Sequence, residues 1–145
     1  MNIFLTIILA ALFLDYFIQS LAKYLDVKAI DTKLPEEFQG IYSKDKYARS
    51  QEYLKENTRL SVITATFSLV VTLLMILLGG FNFLDIWVRQ YEFSPLITGL
   101  VFFATLAFLQ DVITTPFTIY QTFIIEEKYR FNKTTWQTFI TDKLK

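Results

Sequence analysis

The sequence predicts an all-α integral membrane protein with three transmembrane helices and cytoplasmic helical extensions. Three observations carry this. Of the 145 residues, 53% are hydrophobic and 17% aromatic, and the mean hydropathy is +0.37, too apolar for an ordinary soluble domain of this size. Three stretches are long and apolar enough to span a bilayer. Counted outside those stretches, nearly every basic residue falls on one flank.

The first stretch, residues 3–21, is mostly apolar but carries Asp15, Gln19 and Ser20; its 19 residues reach about 28 Å as a helix. It lacks a basic n-region and a small-residue cleavage site, so a retained span is expected rather than a cleaved signal peptide. The second, 60–78, holds no charge, only Ser and Thr as polar members, and stops at Gly79-Gly80. The third, 96–119, begins after Ser94-Pro95 and contains Gln110, Asp111 and Pro116.

Orientation follows from lysine and arginine, which resist translocation, whereas acidic residues contribute little. Segment 22–59 holds eight basic residues, 79–95 only Arg89, and the tail five. Three crossings put 13 of the 14 together, so the loop 22–59 and the carboxyl tail 126–145 are expected to be cytoplasmic and the amino terminus outside.

Outside the spans, Pro35 suits the start of a short helix carrying Glu36 and Glu37, and Gly40 its end. Ser43 suits the cap of a helix running without a break from about Lys44 to Leu78, with Asp45 four residues before Arg49 as a favourable pair. In the tail, Asn132 is expected to cap a final helix, with Phe131 and Trp136 as a hydrophobic staple and Trp136, Phe139, Ile140 and Leu144 on one face. That face suits an interfacial helix or the approach to a further span. Asn132-Lys133-Thr134 is a glycosylation sequon that a cytoplasmic location would leave unused.

Composition also removes whole classes of chemistry. With no cysteine and no histidine there are no disulfides, thiol nucleophiles, imidazole bases, or nitrogen and sulfur metal ligands. Fourteen basic and 14 acidic side chains cancel, so nothing in the charge balance supports a nucleic-acid partner. No catalytic residue and no metal ligand is assigned.

Ionisable groups inside a span cost roughly 2.5–3.5 kcal/mol on insertion scales and face a bundle interior or a wet cavity. Asp15 and Asp111 are expected at similar depth in the cytoplasmic half. Asp15, Gln19 and Lys23 form an i, i+4, i+8 stripe; Asp111, Thr114, Thr118 and Thr122 form another; Ser61, Thr64 and Ser68 form a third. Two readings stand: hydroxyl faces for helix packing with hydrogen-bonded aspartates, or a water-filled chamber lined by Asp15, Gln19, Gln110, Asp111, Thr114 and Thr118.

The segments outside the bilayer carry a recognisable pattern. Leu34-Pro35-Glu36-Glu37-Phe38, Ser50-Gln51-Glu52-Tyr53 running into Asn57-Thr58-Arg59, and Gly79-Gly80-Phe81-Asn82-Phe83-Leu84-Asp85 precede the strongest stretch. That stretch is Pro116-Phe117, Tyr120, Phe123 and Ile125-Glu126-Glu127-Lys128-Tyr129, then Phe131-Asn132-Lys133-Thr134-Thr135, ending in Phe139, Asp142 and Lys145. Apart from the first span, the chain resembles the amino-terminal region of type-1 CAAX prenyl proteases. The resemblance implies an integral-membrane zinc metalloendopeptidase whose seven helices surround a hydrated chamber, acting on prenylated CAAX proteins or misfolded membrane proteins. Zinc is held in that family by a H-E-x-x-H helix and a later Glu; with no histidine here, none of those ligands carries over. The chain is therefore expected to be the family's amino-terminal membrane portion, ending before the remaining spans, with the lipid bilayer and the catalytic half of the same protein as partners. A stand-alone non-catalytic scaffold or accessory protein is the alternative, and a small ion or proton pathway through Asp15 and Asp111 a third. The family usually has Gly where Arg130 stands, which predicts a strained or reshaped turn if that position needs positive φ.

Overall fold

The computed structural model describes residues 2–38, 40 and 43–143. Among them it is all helix: α1 (Ile3–Ala29), a 3-10 turn (Glu36–Phe38), α2 (Lys44–Leu77), α3 (Gly80–Arg89), α4 (Pro95–Tyr120), a π-helical turn (Gln121–Glu126) and α5 (Trp136–Lys143). Three of these are long and apolar enough to cross a membrane: α1, α2, and α4 with its π-helical continuation. Their 18-residue apolar windows have 0%, 0% and 6% of residues buried inside the protein, as expected where lipid, not protein, solvates the outer faces.

Local sequence explains the boundaries. The Asn2 side chain accepts the Phe4 N–H at 3.1 Å and its carbonyl accepts from Thr6, opening α1. The helix outruns the apolar stretch by eight residues, because Ala22 to Ala29 contains no breaker. Ser43 precedes α2 and its carbonyl accepts from Tyr47 at 3.0 Å. Gly79, at φ 74°, supplies the left-handed residue that ends α2. Ser94 then accepts from Thr98 at 2.9 Å, with Pro95 in the first turn of α4.

Two expectations are corrected here, and one helix is new: α3 fills most of residues 79–95. Its 10 residues bury Leu84 and Val88 on one face, set Asn82, Asp85 and Arg89 on a second, and expose Phe83, Ile86 and Trp87 on a third. The final helix starts at Trp136, three residues later than an Asn132 cap would give. Thr135 is the cap, its hydroxyl accepting the Thr138 N–H at 3.2 Å, while the Asn132 side chain turns back to accept from Thr134 at 2.7 Å. The Asp45–Arg49 pair does not form: neither residue has an ion pair among the described residues.

The chain divides into two compact units, Met1–Ser20 with Val62–Pro116, and Leu21–Ser61 with Phe117–Lys145. In the first, Leu84, Val88 and Thr98 are buried, Tyr16 and Thr66 share a 2.7 Å hydrogen bond between α1 and α2, and Thr98 donates to the Phe93 carbonyl at 3.3 Å. In the second, Ile125 and Tyr129 are buried, and the Lys23 ammonium donates to the Ser61 carbonyl at 3.4 Å. Phe123 stacks on Trp136 with centroids 3.8 Å apart and meets Phe139 edge-on at 5.6 Å. Trp136 thus packs on Phe123 instead of stapling to Phe131. Ile140 is 55% exposed, and Leu144 and Lys145 lie outside the described residues.

Candidate functional site

Two places concentrate polar side chains, one in each unit. In the first unit, Gln19 donates to both carboxylate oxygens of Asp15, at 3.1 and 2.9 Å, one helical turn away. These two, with Leu12 and Tyr16 of α1 and Ala65, Ser68, Leu69 and Thr72 of α2, line a groove of ≈ 240 Å³. Gln110 faces a second, larger and mainly apolar groove of ≈ 550 Å³ with Val71, Met75, Phe81, Phe103 and Leu106, and Thr72 lines both. Asp15 and Asp111 share neither groove. The hydroxyls of Thr114 and Thr115 turn back on α4, Thr114 donating to the Gln110 carbonyl at 3.0 Å and Thr115 to that of Asp111 at 2.6 Å. These bonds fall in the turn where Pro116 takes an N–H out of the ladder. Ser68 and Thr72 join the first groove because α2 turns them to the same side as Asp15; their four-residue spacing is visible in sequence, but their partner helix is not.

In the second unit the segment 126–135 forms the end of the long α4 helix. The Glu126 carbonyl accepts from Phe131 at 2.8 Å and Asn132 at 3.2 Å, and the Glu127 carbonyl accepts from Arg130 at 3.0 Å. This is the paired 6→1 and 5→2 pattern of a Schellman motif, and it requires a left-handed residue at Arg130. Arg130 sits at φ 60°. The strain expected at the family's usual Gly position is therefore present, on the order of 1–2 kcal/mol for an L-residue. Arg130→Gly should raise the unfolding free energy by about 1 kcal/mol, read as a higher midpoint in detergent denaturation. An unchanged or lower midpoint would show that the arginine side chain offsets its backbone cost.

Around this turn, Lys128 pairs with Glu56 of α2, and Asn132 donates to the Glu127 carboxylate at 3.1 Å. Tyr53 receives two rings edge-on, Tyr129 at 5.9 Å and Phe131 at 5.0 Å. Lys133 is exposed and Thr134 half-buried. The hydrogen bond to Glu56 raises the Lys128 pKa above the ordinary lysine range, and burial, then the nearby Glu56 charge, raises that of Tyr129. Both groups hold their protons more tightly folded than unfolded. Their contribution is full below the unfolded values, about 10 for tyrosine and 10.4 for lysine, and is lost as pH rises through the folded ones. Stability should therefore fall on titration from pH 9 to 11.5, and less steeply in Glu56→Gln; equal slopes would reject the Lys128–Glu56 coupling.

The pairings of Glu56 with Lys128 and of Tyr53 with Tyr129 carry no signal in sequence, because the partners lie more than 70 residues apart. Among the described residues no three Asp or Glu side chains converge, and the chain has no His or Cys. The family's zinc does not fit the residues present.

The family profile described as "CAAX prenyl protease N-terminal, five membrane helices" matches residues 23–145. Among full-length relatives, the chain is 36% identical over 113 residues to the probable CAAX prenyl protease 1 of Schizosaccharomyces pombe, covering 69% of this chain and 24% of that protein. It is 28% identical over 130 residues to CAAX prenyl protease 1 of Saccharomyces cerevisiae, covering 81% and 28%. Against the human CAAX prenyl protease 1 homolog the figures are 29% over 123 residues, 79% and 26%. The chain thus spans about a quarter of the length of these relatives. The crystal structure of S. mikatae Ste24p superposes with a TM-score of 0.85 over 99% of this chain and 35% of that one, at 22% identity, a likeness of fold. The profile match over residues 23–145 places this chain in the CAAX prenyl protease amino-terminal membrane family.

Proposed function

We propose that the chain forms part of the wall of an intramembrane chamber in a CAAX-type zinc metalloendopeptidase, with zinc and its ligands supplied by a catalytic half outside these 145 residues. The observation that carries this is the groove on Asp15. On two long apolar helices, a carboxylate, an amide and three hydroxyl-bearing side chains line one groove, and an ionisable group at that depth is sustained by water or polar partners. Gln19 holds the Asp15 carboxylate by two N–H bonds, keeping it turned along the groove. Prenylated CAAX proteins or misfolded membrane proteins are the substrates this reading expects, and an endoplasmic-reticulum or bacterial inner membrane its location.

The test is reconstitution. Co-expressed with the zinc-bearing remainder of a relative, this chain should restore cleavage of a prenylated CAAX peptide, which neither part performs alone. A zinc-free oligomer, stable on its own and unable to complement, would favour the scaffold reading instead.

The proposed orientation has its own check. The chain lacks cysteine, so single cysteines at Lys44 and Lys133 report cleanly. Both should react with an impermeant maleimide from the cytoplasmic side; labelling from opposite sides would overturn the three-crossing arrangement.

A further inference from the structure

The second unit contains a groove of ≈ 490 Å³ between the start of α2 and the Schellman turn, lined by Lys46, Tyr47, Arg49, Tyr129, Arg130 and Phe131 among others. Its volume is that of a small-molecule site. Three cations line it, and none has an ion-pair partner among the described residues. Arg49 is not engaged by Asp45, four residues before it, and Arg130 lines the groove from a backbone conformation that costs an arginine energy. Strain of this kind persists where surrounding structure holds it, and it concentrates at binding sites.

We propose that this groove binds a small phosphate-bearing anion, gripped by Arg49, Arg130 and Lys46, with its less polar part against Tyr47 and Phe131. Phosphate suits the site better than a single carboxylate, because three unpaired cations call for more than one negative charge and guanidinium groups match phosphate oxygens in pairs. The position of the groove favours a source in water over a lipid headgroup. Arg49 precedes Leu60, where the apolar stretch begins, by 11 residues of helix, about 16 Å along the axis, whereas the polar layer of a bilayer leaflet is only about 5–8 Å thick.

The experiment uses the 145-residue chain in phosphatidylcholine nanodiscs, titrated with inorganic pyrophosphate by calorimetry and by ³¹P line broadening. The native sequence should bind saturably, and Arg49→Ala and Arg130→Gly should each weaken binding at least tenfold, while Lys28→Ala, outside the groove, should leave it unchanged. Arg130→Gly is the discriminating variant, since it should weaken binding while raising the thermal midpoint of the ligand-free chain. No binding to the native chain, binding retained in both arginine variants, or an equal loss in Lys28→Ala would overturn the proposal. A second arm replaces part of the phosphatidylcholine with phosphatidylglycerol and omits pyrophosphate. Protection of the native chain, but not of the arginine variants, would support the same phosphate site with a lipid headgroup as its source; no protection there, with pyrophosphate binding intact, would support a soluble ligand.

Discussion

Tyr129→Ala should lower the unfolding free energy by about 3–5 kcal/mol, the range for truncating a buried aromatic ring. Tyr129 is 5% exposed, closes the helix just before the left-handed Arg130, and meets the Tyr53 ring edge-on. Removing the ring therefore opens a void beneath the turn and takes away one of the two rings that meet Tyr53. Tyr129→Phe separates ring from hydroxyl: it keeps the buried ring, so it should cost far less than the alanine variant, and it should flatten the alkaline loss of stability because no phenol remains to titrate. Equilibrium unfolding in mild detergent, followed by circular dichroism, reads all three proteins. An alanine variant within 1 kcal/mol of the native chain would show that the second unit does not depend on this contact.

Val70→Arg should cost about 3–4 kcal/mol, the difference between valine and arginine at the centre of a spanning helix on insertion scales. Val70 lies near the middle of the 60–78 stretch and is 47% exposed, so the substitution breaks little protein packing and tests the lipid-facing environment directly. Insertion measured with engineered glycosylation sites on either side of α2 should fall accordingly, while Val70→Leu should not change it. A loss below 1 kcal/mol would mean that Val70 faces water or lies near a leaflet surface, where arginine reaches the polar layer.

Much of this architecture is legible in the sequence because its causes are local. An uncharged run of 19 residues, a serine before a helix, a Ser-Pro start and a Gly-Gly stop each act on the backbone within one turn. The position of Arg130 belongs with these: a helix end that needs positive φ imposes it whatever residue stands there, and the side chain changes only the cost. Thr135 displaced Asn132 as the cap of α5 for a reason equally local but harder to foresee. The Schellman bonds to Glu126 engage the backbone N–H groups of Phe131 and Asn132, so the helix cannot restart there. The amphipathic pattern of α3 was also present, with Leu84 and Val88 one turn apart, but glycines at its head read as the end of one helix more readily than as the start of the next.

The sequence by itself determined that this chain lives in a membrane, where its three long helices begin, and which family it belongs to. Only the tertiary structure decided that Lys128 meets Glu56, that Trp136 stacks on Phe123 instead of Phe131, that Asp15 shares a groove with Ser68 and Thr72, and that three cations around one cleft have no ion-pair partner among the described residues. The physical reason is range. Hydropathy and backbone preference sum over neighbouring residues and survive in any packing, whereas a pair such as Glu56 and Lys128 exists only once two helices have chosen their rotation and register.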